Sequence, residues 1–281
     1  MAAIAVGLVL LSGLVHSIWN LFTKRSLNKT VFLWLCQWMA ILFFLPLSIM
    51  EIPSIGFVSP RGWALLAASM LLHGLYVILL SRAYTAGEMS QAYPMMRGVS
   101  PLIVPIVGVT FLGEELRLIG WAGVLLILAG LLLAGGLFAS IRRPLHPQAV
   151  VAAVLVGLSI AAYTVVDKLT LAYFPAISLN MATNAGNLIA LSFLLRSADE
   201  LKREWRVSWR TIVLGGILAP GGYILFLKAL EILPVSQLAP MREIGTVFGT
   251  LMAVLILKES QGASRIAASI LITLGIIALA R

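Results

Sequence analysis

Two arginines and a glutamate stand where charged side chains are expensive. Arg97 lies in the run Tyr93-Pro94-Met95-Met96-Arg97-Gly98, and Arg242 and Glu243 follow Pro240-Met241, each inside a long apolar stretch. An ionisable group at the centre of a membrane span costs roughly 2.5 to 3.5 kcal/mol on insertion scales, so it needs a partner, a wet cavity or a task. A guanidinium offers a planar fork of donors that matches a carboxylate or a phosphate, so two arginines suit an anionic group. On this reading Arg97 and Arg242 hold the anionic end of a small solute and Glu243 tempers or gates one of them. The competing arrangement is a purely structural ion-pair network of the same three residues.

Further polar positions fall on shared helix faces. His16, Trp19 and Asn20 recur at i, i+3 and i+4 in an otherwise apolar run, with Tyr163 as the counterpart in a later run. Tyr93 precedes Arg97 by one turn, and His73 pairs with Tyr76 at i+3. His16, Trp19, Asn20, Tyr76, Tyr93 and Tyr163 complete a candidate binding cavity around Arg97, Arg242 and Glu243. Glu243 and His16 are the candidates for carrying a coupling proton, histidine because its ordinary titration falls near neutral pH. Asp167 and Lys168 read as near a span end, where they snorkel or pair, and are left out of the site. Asn180, Asn184 and Asn187 stripe one face and suggest hydrogen bonding between helices.

These residues must be positioned by membrane helices. The chain has 281 residues, of which 60% are apolar and 11% charged, against about 25% charged in an ordinary soluble domain. Apolar runs long enough to cross about 30 Å of hydrocarbon recur from end to end. They predict an all-α membrane protein with ten spans near 2–22, 31–50, 62–84, 89–113, 118–139, 148–171, 176–195, 211–231, 234–257 and 263–280. The first run lacks a basic leader and carries His16 and Asn20, so it reads as a retained span. Pro94, Pro101 and Pro105 predict a fourth span broken in its middle. The charged segment from Arg196 to Arg210 reads as a surface loop lying on headgroups.

The spans repeat. Ser90-Gln91-Ala92-Tyr93-Pro94-Met95-Met96-Arg97 matches Ser236-Gln237-Leu238-Ala239-Pro240-Met241-Arg242 after one deletion. An offset of 145 then pairs Arg97 with Arg242, Glu114 with Glu259 and Gly130 with Gly275. The earlier helices match more loosely, Gly13 with Gly157, Trp19 with Tyr163 and Lys24 with Lys168. Two halves follow, 1–143 and 144–281. Five spans in each half put the second copy in the membrane upside down relative to the first. Such a 5+5 inverted repeat, with a central cavity between the halves, is a secondary-transporter architecture. Duplication makes one chain sufficient, so a monomer is expected. Most of the 20 Lys and Arg residues fall to the connections opposite the termini, which by the positive-inside rule places both termini outside.

Several classes of function fall away. The net charge of +9 belongs to loops beside anionic lipid and not to a nucleic-acid surface. The single cysteine, Cys36, lies in an apolar run, so neither an internal disulfide nor a cysteine metal cluster is expected. A metal-binding HExxH and a serine nucleophile elbow are both missing, and the paired glycines do not follow strands, so no enzyme, metal or cofactor is expected.

The residues also carry a resemblance. Trp19-Asn20 to Lys24 and Tyr163 to Lys168 end the first and sixth spans. Arg82-Ala83-Tyr84 and Lys228-Ala229-Leu230 follow, then Pro-containing fourth and ninth spans that lead into Gly113-Glu114 and Lys258-Glu259, with glycines at Gly120, Gly130 and Gly275. On these the chain resembles the drug/metabolite transporter superfamily, specifically its EamA-type ten-span members. The resemblance implies a 5+5 inverted fold, transport of metabolites such as amino acids, frequent export, an inner-membrane location and cytoplasmic termini, the last against the charge count. Together the two lines of reasoning predict a secondary transporter of a small anionic or zwitterionic metabolite working by alternating access, with a coupling proton or solute counter-flow and membrane lipids as its other partners. Two alternatives stand beside it. In one, the arginines pair internally and Trp19, Tyr76, Tyr93 and Tyr163 cage a quaternary amine such as choline. In the other, the chain handles lipid phosphates as a flippase does.

Overall fold

A computed structural model describes residues 1–86, 89–134, 147–195, 197–255 and 263–281, and within these all side chains except those at 24, 82–86, 89–95, 147–150 and 253–255. Every regular element among them is helical: α1 (Ala2–Arg25), α2 (Lys29–Glu51), a short 3-10 turn (Ile52–Ser54), α3 (Pro60–Ala86), α4 (Met89–Phe111), α5 (Leu118–Ala134), α6 (Pro147–Thr170), α7 (Ala176–Ser192), α8 (Ala198–Leu230), α9 (Val235–Met241), α10 (Ile244–Leu255) and α11 (Ala263–Leu279). By length and composition, the segments Ala2–Thr23, Lys29–Ser54, Pro60–Ser81, Val151–Thr170 and Ala198–Leu230 are each able to cross a membrane, and Met96–Phe111, Leu118–Ala134 and Ala263–Leu279 are shorter apolar helices. Lipid explains the outer surface. Leu42, Phe43, Leu45, Leu47 and Ile49 on α2, and Ile266, Ile270, Leu274 and Ile277 on α11, are exposed large apolar residues that water would leave unstable and hydrocarbon does not.

The helices pack in corresponding pairs. α1 lies on α8 and α3 on α6; α4 lies on α6 and α1 on α10; α2 lies on α8 and α3 on α7. α5 crosses α11, α2 crosses α7 and α4 crosses α9. Glycines allow the closest approaches, as small residues do between membrane helices. A Cβ on Gly123 would stand 2.6 Å from the Gly275 carbonyl oxygen, and one on Gly275 would stand 2.6 Å from that of Gly123. Gly157 meets Val99 in the same way that Gly13 meets Ile244.

Two expectations change. α4 runs unbroken through Pro94, Pro101 and Pro105. Each proline deletes one N–H bond, and a buried helix with partners on its sides can absorb that loss. The break falls instead in the second copy, where α9 ends at Met241 after Pro240 and α10 begins at Ile244. There the amides of Glu243, Gly245 and Thr246 bond to the carbonyls three residues back, at 3.1, 3.2 and 2.9 Å, the pattern of a tightened turn. The segment 198–210 is not a loop: it is the first part of the 33-residue α8. At 1.5 Å per residue that helix is about 50 Å long, well beyond the hydrocarbon thickness. Its extension is anchored by Glu204, which accepts the Asn28 backbone amide at 2.7 Å, while Glu200 accepts the Asn28 side chain at 3.1 Å.

Candidate functional site: a charged and aromatic interior

The turn between α9 and α10 aims both of its charged side chains inward. Glu243 is buried and its Oε1 lies 3.5 Å from Nη1 of Arg97 on α4. This ion pair joins the segments that the internal repeat relates to each other. Arg242 lies flat against two rings, its guanidinium carbon 4.9 Å from the Tyr223 centroid and 4.6 Å from that of Phe226. Stacking of this kind suits arginine, whose planar and weakly hydrated head loses little on an aromatic face. Three buried polar atoms of this turn have no hydrogen-bond partner, Nε of Arg242, Oε2 of Glu243 and Oγ1 of Thr246.

A cavity opens beside Arg97, lined by His16 and Asn20 from α1, Tyr76 and Leu80 from α3, Met96 and Arg97 from α4, and Val156 and Ile160 from α6. Its empty volume, open mouth included, is about 320 Å³. The lining is mixed, with His16, Asn20, Tyr76 and Arg97 polar and Leu80, Met96, Val156 and Ile160 apolar. Trp19 turns its indole N–H onto Nδ1 of His16 at 3.2 Å, which orients the imidazole. Tyr163 stands behind Tyr76, ring centroids 5.4 Å apart and edge to face. Of the nine residues expected at the site, His16, Asn20, Tyr76 and Arg97 line the cavity, Trp19, Tyr163 and Glu243 contact those that do, and Arg242 sits on the adjoining ring cluster. The Tyr93 side chain lies outside the described residues.

One neighbour was not expected. Asp167 has no exposed surface. Its Oδ1 accepts the Ser69 hydroxyl, and its Oδ2 accepts the Tyr223 hydroxyl and lies 2.9 Å from Nε2 of His73. His73 in turn stacks on Tyr163, with centroids 4.1 Å apart. Of the two behaviours expected of Asp167 near its span end, snorkelling and pairing, it shows the second, as a wholly buried group tying α6 to α3 and α8. Spacing carried the signal. Ser69, His73 and Tyr76 stand at i, i+4 and i+7, and Tyr163 and Asp167 at i and i+4, so each set shares a helix face.

Lys168 does behave as an end residue. Its ammonium donates to the Leu230 and Leu233 carbonyls at 2.5 and 3.2 Å, closing the C-terminus of α8. Across the same connection the two oxygens of Glu114 accept the Val235 and Ser236 amides, each at 2.8 Å, and cap α9. In the asparagine stripe, Asn184 donates to Asn180 at 2.8 Å along α7, a bond within one helix in place of the expected one between helices. Among the described residues no group of His, Cys, Asp and Glu could hold a metal ion.

The comparisons with known proteins agree with this architecture. A Sinorhizobium protein described as an uncharacterized transporter in cobO 3'region is 41% identical over 73 residues, which are 26% of this chain and 51% of that protein. The chain thus spans about half the length of this curated relative. A solved crystal structure, described only as that of a protein, superimposes with a TM-score of 0.76 over 99% of this chain and 96% of its own, at 18% identity, so the fold is shared. The model of the EamA-like transporter family matches twice, over residues 3–136 and 147–281. With nearly the whole sequence covered, the chain belongs to the EamA-like transporter family.

Proposed function

We propose that this protein is a secondary transporter, working as an exporter in the inner membrane, that moves a small anionic or zwitterionic metabolite such as an amino acid by alternating access. The observation that carries the reading is Arg97: a guanidinium on the wall of a cavity inside an apolar helical bundle, held from across the site by Glu243. The 3.5 Å separation of the pair is long for a charge-assisted bond, so an entering carboxylate can take a share of the guanidinium as Glu243 yields. Glu243 and His16 are the cavity-side groups able to exchange a proton during that step. The apolar lining residues Leu80, Met96, Val156 and Ile160 receive the rest of the solute.

The 5+5 inverted repeat is part of this proposal. It is supported by two family matches of similar length and by helix contacts that exchange under the repeat offset, α1 on α8 answering α3 on α6 and Gly13 on Ile244 answering Gly157 on Val99. The two halves, 1–143 and 144–281, then rock about the α5–α11 and α4–α9 crossings, one chain supplying both units. The aromatic-cage alternative fares less well, because Tyr163 already stacks on His73 and Arg97 faces the cavity that a cation would enter.

Thermal-shift measurements on the purified chain test the reading, with amino acids, organic anions, phosphonates and quaternary amines as probes. Stabilisation by an anionic or zwitterionic probe, lost in Arg97→Ala, is expected. Stabilisation by quaternary amines alone, unchanged in that variant, overturns it.

A further inference from the structure

We propose that His73 and Asp167 form a proton-binding site, set one layer of tyrosine rings behind the cavity and shared by α3, α6 and α8. Asp167 is wholly buried in a membrane span and has all its donors from protein: Ser69 and His73 on α3, and Tyr223 on α8. A carboxylate kept at such cost asks for a purpose. Histidine is the partner whose ordinary titration falls roughly between pH 5 and 8. With Asp167 accepting, the Nε2–H of His73 is the donor, and a proton arriving from water forms one N–H bond at the other ring nitrogen. The product is an imidazolium–carboxylate pair, and no other bond changes.

The surroundings link this site to the cavity. Tyr163 from α6 and Tyr223 from α8 touch the pair; beyond them come Tyr76 from α3, packed on Tyr163, and Arg242 from the α9–α10 turn, packed on Tyr223, with Glu243 and Arg97 of α4 paired to each other and Lys168 turned away to the end of α8. α7, which packs on α3, brings the neutral amides Asn180 and Asn184. Counted formally, two arginines balance Glu243 and Asp167 when both histidines are neutral. An anion entering beside Arg97 upsets that balance in a medium of low dielectric, and a proton on His73 restores it. Tyr76 lines the cavity and packs on Tyr163, and Tyr163 stacks on His73, so a continuous line of ring contacts joins the two sites. The coupling purpose rests on the proposed transport function; the proton chemistry does not, and the experiment separates them.

The chain has three histidines, His16, His73 and His146, so nitrogen NMR of histidine-labelled full-length protein in lipid nanodiscs resolves each, with His73→Gln assigning its signal. The probe is the proton alone. We expect the His73 signal to pass to the imidazolium form on acidification and its midpoint to move in Asp167→Asn, which removes the carboxylate bonded to Nε2. Tyr223→Phe, which keeps the carboxylate and removes one of its donors, should move it in the opposite sense. A His73 signal that does not titrate, or the same midpoint in both variants, overturns the proposal. Arg97→Ala separates the readings: it should abolish stabilisation by an anionic probe while His73 still titrates, so a chain that binds no anion can still show the proton site.

Discussion

Glu243 is the side chain with the most to reveal. Removing one partner of a buried ion pair typically costs about 3 to 5 kcal/mol, because the other charge is left uncompensated. Glu243→Gln therefore should lower thermal stability, and an anionic probe should then restore more of it than in the parent protein, since Glu243 no longer competes with the probe for Arg97. Thermal shifts with and without the probe, compared with the double variant Arg97→Gln, Glu243→Gln, check this; a probe response equal to that of the parent shows that Glu243 does not compete for Arg97. The members of the pair were legible in the sequence because charge inside an apolar run is conspicuous and the repeat brings the segments that carry them into correspondence. Asp167 was not. It lies three residues from the end of α6, a position that reads as interfacial. Its partners Ser69, His73 and Tyr223 stand 98, 94 and 56 residues away, and only tertiary packing brings them together. Arg242 was legible as an interior cation, yet its seat on Tyr223 and Phe226 depended on where the ninth span breaks.

At the scale of elements, the crossings and caps carry the risk. Gly123 and Gly275 approach so closely that a larger side chain forces α5 and α11 apart. Overpacking of this kind costs about 1 to 3 kcal/mol. Gly275→Leu should accordingly lower the melting temperature, whereas Leu274→Ala, one residue along on the half-exposed lipid face, should leave it nearly unchanged. Equal losses in both would mean that the crossing is not tightly packed. At the α8–α9 connection, Glu114 alone satisfies two amides at the start of α9. Hydrogen bonds to a charged group contribute about 1.5 to 3 kcal/mol each, so Glu114→Ala should destabilise strongly and Glu114→Gln, which keeps one carbonyl acceptor, by roughly half as much. Denaturation curves in detergent measure the ratio. The prolines of the fourth span show why element boundaries are harder to read than element identity. Proline marks where a helix can break, but the break occurred only where Pro240 is followed by a turn carrying two inward-facing charges, and the unbroken α4 absorbs three prolines among its neighbours.

For the whole molecule the decisive property is which connections share a side of the membrane. Glu51, the last residue of α2, accepts the Ser178 amide and hydroxyl at 2.8 and 2.9 Å in the first turn of α7, which ties the end of α2 to the start of α7. Glu204 and Glu200 tie the α1–α2 connection to the α7–α8 connection at the opposite end. An alternating helical path through the bilayer requires these two groups to face opposite compartments. Single cysteines in a Cys36→Ala background test this, since Cys36 itself is buried and its loss leaves no accessible thiol. Leu27→Cys and Lys202→Cys should react with a membrane-impermeant maleimide from one side, and Phe57→Cys and Leu118→Cys from the other, all four parent residues being exposed. Labelling that mixes the two sets contradicts the alternation on which five spans per half depends. The same data orient the chain. Reaction of the first set from the cytoplasm follows the distribution of Lys and Arg, and reaction of the second set from the cytoplasm follows the cytoplasmic termini that the family resemblance implies.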